Sequence, residues 1–266
     1  KIKYPNHPYF NEVGSNVPSR DKVKLPYLLG SLTKKKPDGS YDKWNEKHKE
    51  LKIITPKLDG VSMLIVYDEH GNVKKAYTRG NGEYGRDITE KSKYFSPKPK
   101  LNKSLVVRGE AILKKDINYK LYGKFRRAAV SGLINTDDNE NAHIIDFVAY
   151  EIIDSDYNTE KERIDYLNKI FPNNSVSYEL IDYNHTEIDM IDVYARLTKD
   201  LVYETDGLVV TINNSVRENV KYPSHKISFK FPNKPVETEV DTVIYDVGRT
   251  GKMNPRLSIK QVEILG

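Results

Sequence analysis

Apolar and polar positions follow two rhythms along this chain, and the alternating one dominates. The segment "VSMLIVYDEHGNVKKAYTRG" (61–80) reads as two strands joined by a turn at Glu69–Asn72. Further strands are predicted at "SLVVRGEAIL" (104–113), "HIIDFVAYEII" (143–153), "DGLVVTI" (206–212) and "KISFKF" (226–231). The slower, helical rhythm occurs in four places. In "YDKWNEKHKEL" (41–51) it puts Trp44, His48 and Leu51 on one face, and "YKLYGKFRRAAVSGLI" (119–134) reads as mostly helix. Thr159 and Glu162 form a capping box ahead of the stripe Ile164, Leu167 and Ile170. In "TEIDMIDVYARLTKDL" (186–201) the stripe is Ile188, Ile191, Tyr194 and Ala195.

These elements predict an α+β fold of antiparallel sheets with flanking helices, without regular βαβ units. Residues 1–30 carry four prolines and little periodicity, and read as an extended arm. Residues 31–235 form the main domain, and 236–266 alternate again as the opening strands of a separate small β domain.

Strand side chains alternate between faces, so Arg108 and Glu110 share one face. Lys226, Ser228 and Lys230 lie opposite Ile227, Phe229 and Phe231, while Lys57 and Asp59 share a face at the start of the strand that continues through 61–67. This common polar side is either simply solvated or the wall of a cleft. Gly60 follows Asp59, Gly109 separates Arg108 from Glu110, and Gly207 follows Asp206. Strand glycines often mark a close approach to backbone, which favours a cleft holding a ligand.

Composition narrows the chemistry. The 266 residues include no cysteine, which excludes disulfides and thiolate metal sites. Six histidines (7, 48, 70, 143, 185 and 225) are dispersed and read as structural or surface residues. A net charge of +5 permits a phosphate-rich partner. No apolar run reaches the roughly 18 residues of a membrane span, and no signal-peptide pattern opens the chain.

A strand lysine beside carboxylates and other lysines is a candidate covalent nucleophile, and Lys57 fits that description. Partial burial and nearby cations favour the neutral amine it would need, while Asp59 opposes it. Lys230, Arg126 and Arg79 could supply the cations that phosphoryl or nucleotidyl transfer demands. A divalent metal in such a reaction is held mainly by phosphates and water, with one or two carboxylates. The loop "TRGNGEYGRD" (78–87) fits neither a Walker loop nor a dinucleotide fingerprint. It is a flexible β turn or a loop that grips substrate.

The series "SLTK" (31–34), "KLDG" (57–60), "TRGNGEYGRDIT" (78–89), "VRGEAIL" (107–113), "FRRAAVSGL" (125–133), "FVAYE" (147–151), "ETDGLVV" (204–210), "SFKFP" (228–232) and "VGRTGKMNP" (247–255) resembles the adenylation (nucleotidyltransferase) domain of NAD-dependent DNA ligases, in that family's order. The resemblance implies a nucleotidyltransferase fold followed by the first strands of an oligonucleotide-binding (OB) fold. It implies that Lys57 attacks the α-phosphate of NAD and holds AMP, with Mg2+ assisting. AMP then passes to the 5′-phosphate of a nick in double-stranded DNA, and the 3′-hydroxyl seals it. Catalysis falls to Lys57, Asp59, Glu110 and Lys230. Asp59 and Arg79 support ribose and phosphate contacts, and Glu110 binds the ribose hydroxyls or positions the nucleophile. Tyr150 stacks on adenine, Ser31 and Leu32 line the nucleoside pocket, and Lys230 stabilises charge on the transferring phosphate. Arg126, with Arg79, meets a phosphate of nicked DNA or of the adenylate.

The family's small helical domain, which recognises the nicotinamide mononucleotide half of NAD, is expected upstream of residues 1–30 or on a separate subunit. The implied setting is the cytoplasm of a bacterium or of a virus-infected cell, with a viral or phage-like source. Alternatives are an ATP-dependent DNA or RNA ligase of the same superfamily, or a degenerate nucleotide- or nucleic-acid-binding module. Several positions depart from the family pattern: Thr55 stands for Glu, Asn81 for Asp, Thr211 for Lys, Ile134 for Arg and His225 for Trp. Thr211 removes a cation. Lys226, on the same strand face as Lys230, is the candidate to compensate for it.

Overall fold

The computed structural model describes residues 22–153, 155–214, 218–232 and 236–262. Most of the arm, residues 1–21, therefore lies outside the described residues. The chain divides into two units, one running to Lys230 and the other from Phe231.

In the first unit the strands are β1 (Lys22–Lys24), β2 (Thr33–Lys35), β3 (Lys52–Leu58), β4 (Val61–Tyr67), β5 (Val73–Thr78), β6 (Tyr84–Arg86), β7 (Leu105–Ile112), β8 (Asp146–Ile152), β9 (Glu179–Ile181), β10 (Thr205–Ile212) and β11 (Lys226–Phe229). They form a five-stranded sheet ordered β2-β11-β10-β3-β9, a four-stranded sheet ordered β5-β4-β7-β8, and a β1-β6 ribbon. All pairings are antiparallel except β2 with β11. The helices are α1 (Ser40–Asn45), α2 (Thr89–Ser92), α3 (Arg126–Asn135), α4 (Glu160–Ile170) and α5 (Asp189–Thr198). The predicted α+β class with antiparallel sheets is the observed one.

The unbroken apolar run of β4 has a simple reason. Met63, Ile65 and Tyr67 belong to the main core with Val107, Phe147 and Ala129. Leu64, on the opposite face, packs with Leu25 and Leu29 of the segment after β1. A strand covered on both faces loses its alternation. The capping box of α4 is complete: the Glu162 N–H donates to Thr159 Oγ1, and the Thr159 N–H donates to Glu162 Oε2 at 3.1 Å.

Four expectations need correction. The first helix stops at Asn45, leaving Leu51 53% exposed, because the buried Lys52 amine takes the carbonyls of His48 and Glu50 and the chain turns into β3. The helix expected over 119–134 is a single 3-10 turn, Tyr119–Leu121, and then α3. The break surrounds Gly123, where a Cβ would sit 2.6 Å from the Ala129 amide nitrogen. In α5 the buried face is Met190 and Val193, whereas Ile188 and Ile191 are 76% and 57% exposed. Lys57 is not at the start of β4. It is the penultimate residue of the separate strand β3, and Asp59 lies in the turn between the two.

The glycines also serve a different purpose from the one expected. A Cβ on Gly60 would stand 2.2 Å from the Ala111 carbonyl, and one on Gly109 would enter the Phe147 ring at 2.4 Å. Gly207 has φ 145°, and a Cβ there would meet the Phe229 carbonyl at 2.2 Å. The close approaches are to protein, strand on strand and ring on backbone.

In the second unit β12 (Val240–Val247) and β13 (Met253–Ile259) pair antiparallel as a hairpin, with Gly251 at φ 80° in its turn. Every residue of the two strands is exposed.

Gly109→Ala is expected to destabilise the protein by about 1–3 kcal/mol through overpacking, and Phe147→Leu should recover part of that loss. Urea melts of the two single variants and the double variant test this, and strict additivity would refute the ring-on-backbone account.

Candidate active site

The two large sheets of the first unit face each other across a cleft of about 760 Å³. Cross-strand register organises its floor. Thr55 on β3 pairs with Val209 on β10, which pairs with Ser228 on β11, and all three line the cleft. Lys57 and Lys230 lie toward one end of this row, Thr211 and Lys226 toward the other.

Asp206 reaches the first end because the β10-β3 register slips between Thr205 and Leu208. Such an irregularity re-aims a side chain, and the glycine that follows supplies the backbone angle. The Asp206 carboxylate stands between two amines, with Oδ1 2.8 Å from Lys57 Nζ and Oδ2 2.6 Å from Lys230 Nζ. Burial works to raise the Asp206 pKa, but the two lysines outweigh it and hold the carboxyl below its ordinary value.

The opposite wall carries the other polar groups. Glu110 on β7 is 9% exposed, and burial pushes its pKa up to about 7 against the pull of Lys57, Arg108 and Arg127. Arg108 donates to Ser62 Oγ at 3.2 Å and to the Gly30 carbonyl at 3.0 Å. The Tyr150 hydroxyl lies 2.8 Å from the same Ser62 oxygen, and burial raises the pKa of this phenol. The Arg108 guanidinium also stands 5.8 Å from the centre of the Tyr150 ring. The ring is therefore pinned at its tip and along its face.

Of the residues singled out from sequence, Ser31, Leu32, Lys57, Arg79, Glu110, Tyr150 and Lys230 line this cleft together. Asp59 does not. Its N–H donates to the Glu204 carbonyl at 3.0 Å, and its carboxylate accepts from Arg127 at 3.4 Å. Arg126 is also elsewhere: it donates to Glu204 Oε1 at 2.8 Å and to the carbonyls of Lys114, Lys115 and Ile117. Its guanidinium lies 4.7 Å from the Tyr119 ring centre. Those bonds tie α3 to the segment after β7, and Arg127 is the arginine that lines the cleft. Sequence reasoning passed over Arg127 and Asp206 as site residues. The signal for Asp206 is its place directly before Gly207 in "ETDGLVV". For Arg127 versus Arg126 there was none, because two adjacent arginines at a helix start differ only in which way the first turn aims them.

The far end of the cleft holds Lys226, 3.2 Å from Glu151 and 3.6 Å from Glu160. Glu151 also meets Arg108 at 3.5 Å, and Glu160 meets Arg163 at 3.0 Å. Among the described residues no three His, Asp or Glu side chains cluster to hold a metal ion. The donor set thus offers a divalent cation single carboxylates such as Glu110, leaving phosphate oxygens and water to complete its shell.

Two predictions follow from this geometry. Between about pH 4.5 and 7 the folded chain keeps a proton on Glu110 that the unfolded chain has released, so this residue lowers stability as pH rises through that window. Glu110→Gln should remove about 3 kcal/mol of that slope, read as urea midpoints at pH 5 and pH 8; an unchanged slope would refute the assignment. Arg126→Ala should cost about 1–3 kcal/mol by leaving several carbonyls without the half-buried guanidinium that binds them. Arg127→Ala should cost under about 1 kcal/mol. Thermal melts that rank the two the other way would contradict the division of labour described.

Comparison with known proteins accords with this architecture. Residues 38–234 match the family model described as NAD-dependent DNA ligase adenylation domain. The chain is 30% identical over 274 residues to the DNA ligase of Acanthamoeba polyphaga mimivirus, covering 98% of this chain and 42% of that protein. It is 34% identical over 233 residues to the DNA ligase of Acholeplasma laidlawii, covering 79% of this chain and 35% of that protein. It therefore spans less than half the length of these relatives. A solved structure named Pmar-Lig_Pre. shares the fold at TM-score 0.51 and 12% identity, over 87% of this chain and 57% of that one. No helix among the described residues is long and apolar enough to cross a membrane. The chain belongs to the family of NAD-dependent DNA ligase adenylation domains.

Proposed function

We propose that this chain takes an adenylyl group from NAD onto Lys57 and passes it to the 5′-phosphate of nicked double-stranded DNA. The observation that carries this reading is the Lys57–Asp206–Lys230 triplet on the cleft floor, facing Glu110. Lys57 Nζ forms a nitrogen–phosphorus bond at the α-phosphate, and nicotinamide mononucleotide leaves with the bridging oxygen. The lysine proton passes to Asp206, whose Oδ1 is 2.8 Å away. Lys230, 2.6 Å from the other carboxylate oxygen, turns to the phosphate as charge develops there. Tyr150 offers its ring to the base, Ser31 and Leu32 flank the nucleoside, and Arg79 and Arg127 serve the phosphates of cofactor or DNA.

A magnesium ion bound by the phosphates would neutralise charge on the transferring group. In this reading Asp59 acts indirectly, by orienting Arg127. The hairpin of β12 and β13 opens an OB domain, a domain or subunit outside this sequence recognises the nicotinamide mononucleotide half, and the reaction runs in the cytoplasm of a bacterium or an infected cell.

The full-length protein incubated with NAD and Mg2+ should gain the mass of one AMP at Lys57, and Lys57→Arg should abolish it. Asp206→Asn should slow the gain by about 10²–10⁴-fold, the range of a lost general base. Labelling from ATP and not NAD would replace this reading with that of an ATP-dependent ligase. Labelling from neither would leave a nucleotide-binding module.

A further inference from the structure

The end of the cleft remote from Lys57 carries a buried ion cluster for which the transfer chemistry has no use. Lys226 lies about 13 Å from Lys230, four residues along the strand direction at about 3.3 Å each. Its side chain is 11% exposed, and it lines the cleft. Its cross-strand partner is Thr211, the position where the family pattern puts lysine. Directly paired residues of neighbouring strands have Cβ atoms about 5 Å apart on one face, so an amine from either position can serve the same space. Glu151 and Glu160 approach it from β8 and α4. An ammonium has three donors, and these two carboxylates leave one to point into the cleft. Buried ion pairs contribute little net stability because desolvation opposes them, so stability alone is a weak reason for this cluster.

The cleft runs from Lys57 and Lys230 to Lys226, so a nucleotide laid along it with its phosphate on the two lysines would bring its base to this end, leading with the edge farthest from the glycosidic bond. On adenine that edge presents the N1 acceptor. Resting on the proposed phosphate site, we propose that Lys226, held in place by Glu151 and Glu160, donates to N1 of a bound adenine and supplies from β11 the cation that Thr211 lacks on β10. The cation has moved one strand across the sheet without leaving its place in the cleft.

The test is calorimetric titration of the protein with AMP and with its 1-deaza analogue, in which a C–H replaces N1. The unaltered protein should bind AMP about tenfold or more tightly, the worth of a hydrogen bond to a charged group. Lys226→Met should bind the two alike, and Lys226→Met with Thr211→Lys should regain the preference. Equal binding by the unaltered protein, or a preference that survives in Lys226→Met, would overturn the proposal. The first comparison needs no substitution, and the double variant decides if Lys226→Met fails to fold. AMP preference without labelling of Lys57 would sink the ligase reading while leaving the base contact standing.

Discussion

A single carboxylate between two amines organises the cleft. Without Asp206, Lys57 and Lys230 would bring two like charges to neighbouring places on a sheet, and each would seek solvent or other partners. With it, both are drawn to one anion at 2.8 and 2.6 Å, which fixes where a phosphate can arrive. Three strands must cooperate for this. β10 lies between β3 and β11, so its aspartate can face a lysine on either side. The register slip beside Gly207 turns the aspartate to the cleft, while Leu208, the next residue, stays fully buried. A Cβ at Gly207 would collide with the Phe229 carbonyl, so glycine here keeps the strand contact that positions Lys230.

The same triplet shapes the facing wall. Glu110 is buried enough that its carboxyl is pushed up to about 7, yet it feels Lys57 as its leading opposing charge. Near neutrality it stands close to the boundary between acid and carboxylate. Arriving phosphates would favour the acid and an arriving cation the carboxylate, so this residue can follow the charge of its occupant. Asp206 stays ionised while both lysines face it, and takes a proton only as Lys57 gives one up. One sheet thus contributes a charge held until the transfer step and the other a charge that adjusts as the cleft fills.

Much of this was legible in the sequence, for definite reasons. The alternation in "VVRGEAI" and "KISFK" correctly put Arg108 with Glu110, and Lys226 with Ser228 and Lys230, because a strand's period of two is insensitive to what lies around it. The capping box of α4 was equally readable, being local. The failures lie where tertiary contacts decide. β2, β6 and β9 have three residues each, too few to show a period. The α5 stripe was misassigned because Ile188 and Ile191 share the helical spacing of the true core pair, Met190 and Val193. The glycines were rightly seen as close approaches, but a sequence does not say whether a ligand or a phenylalanine ring is what comes close.

A motif is read along one strand, whereas a cleft is built across several, and this difference explains how the chain departs from a family pattern and still assembles the site. Thr211 and Lys226 are distant in sequence but directly paired in register, so moving a charge between them changes two motifs and one location hardly at all. The arginines at the start of α3 behave in the opposite way. Arg126 and Arg127 are adjacent in sequence, yet the first is bound to carbonyls after β7 and the second lines the cleft. Position in a motif therefore predicts chemistry only as far as the fold keeps that position facing the ligand. At Lys57 it does, because β3 lies next to β10, whose Asp206 carboxylate stands 2.8 Å from the lysine amine.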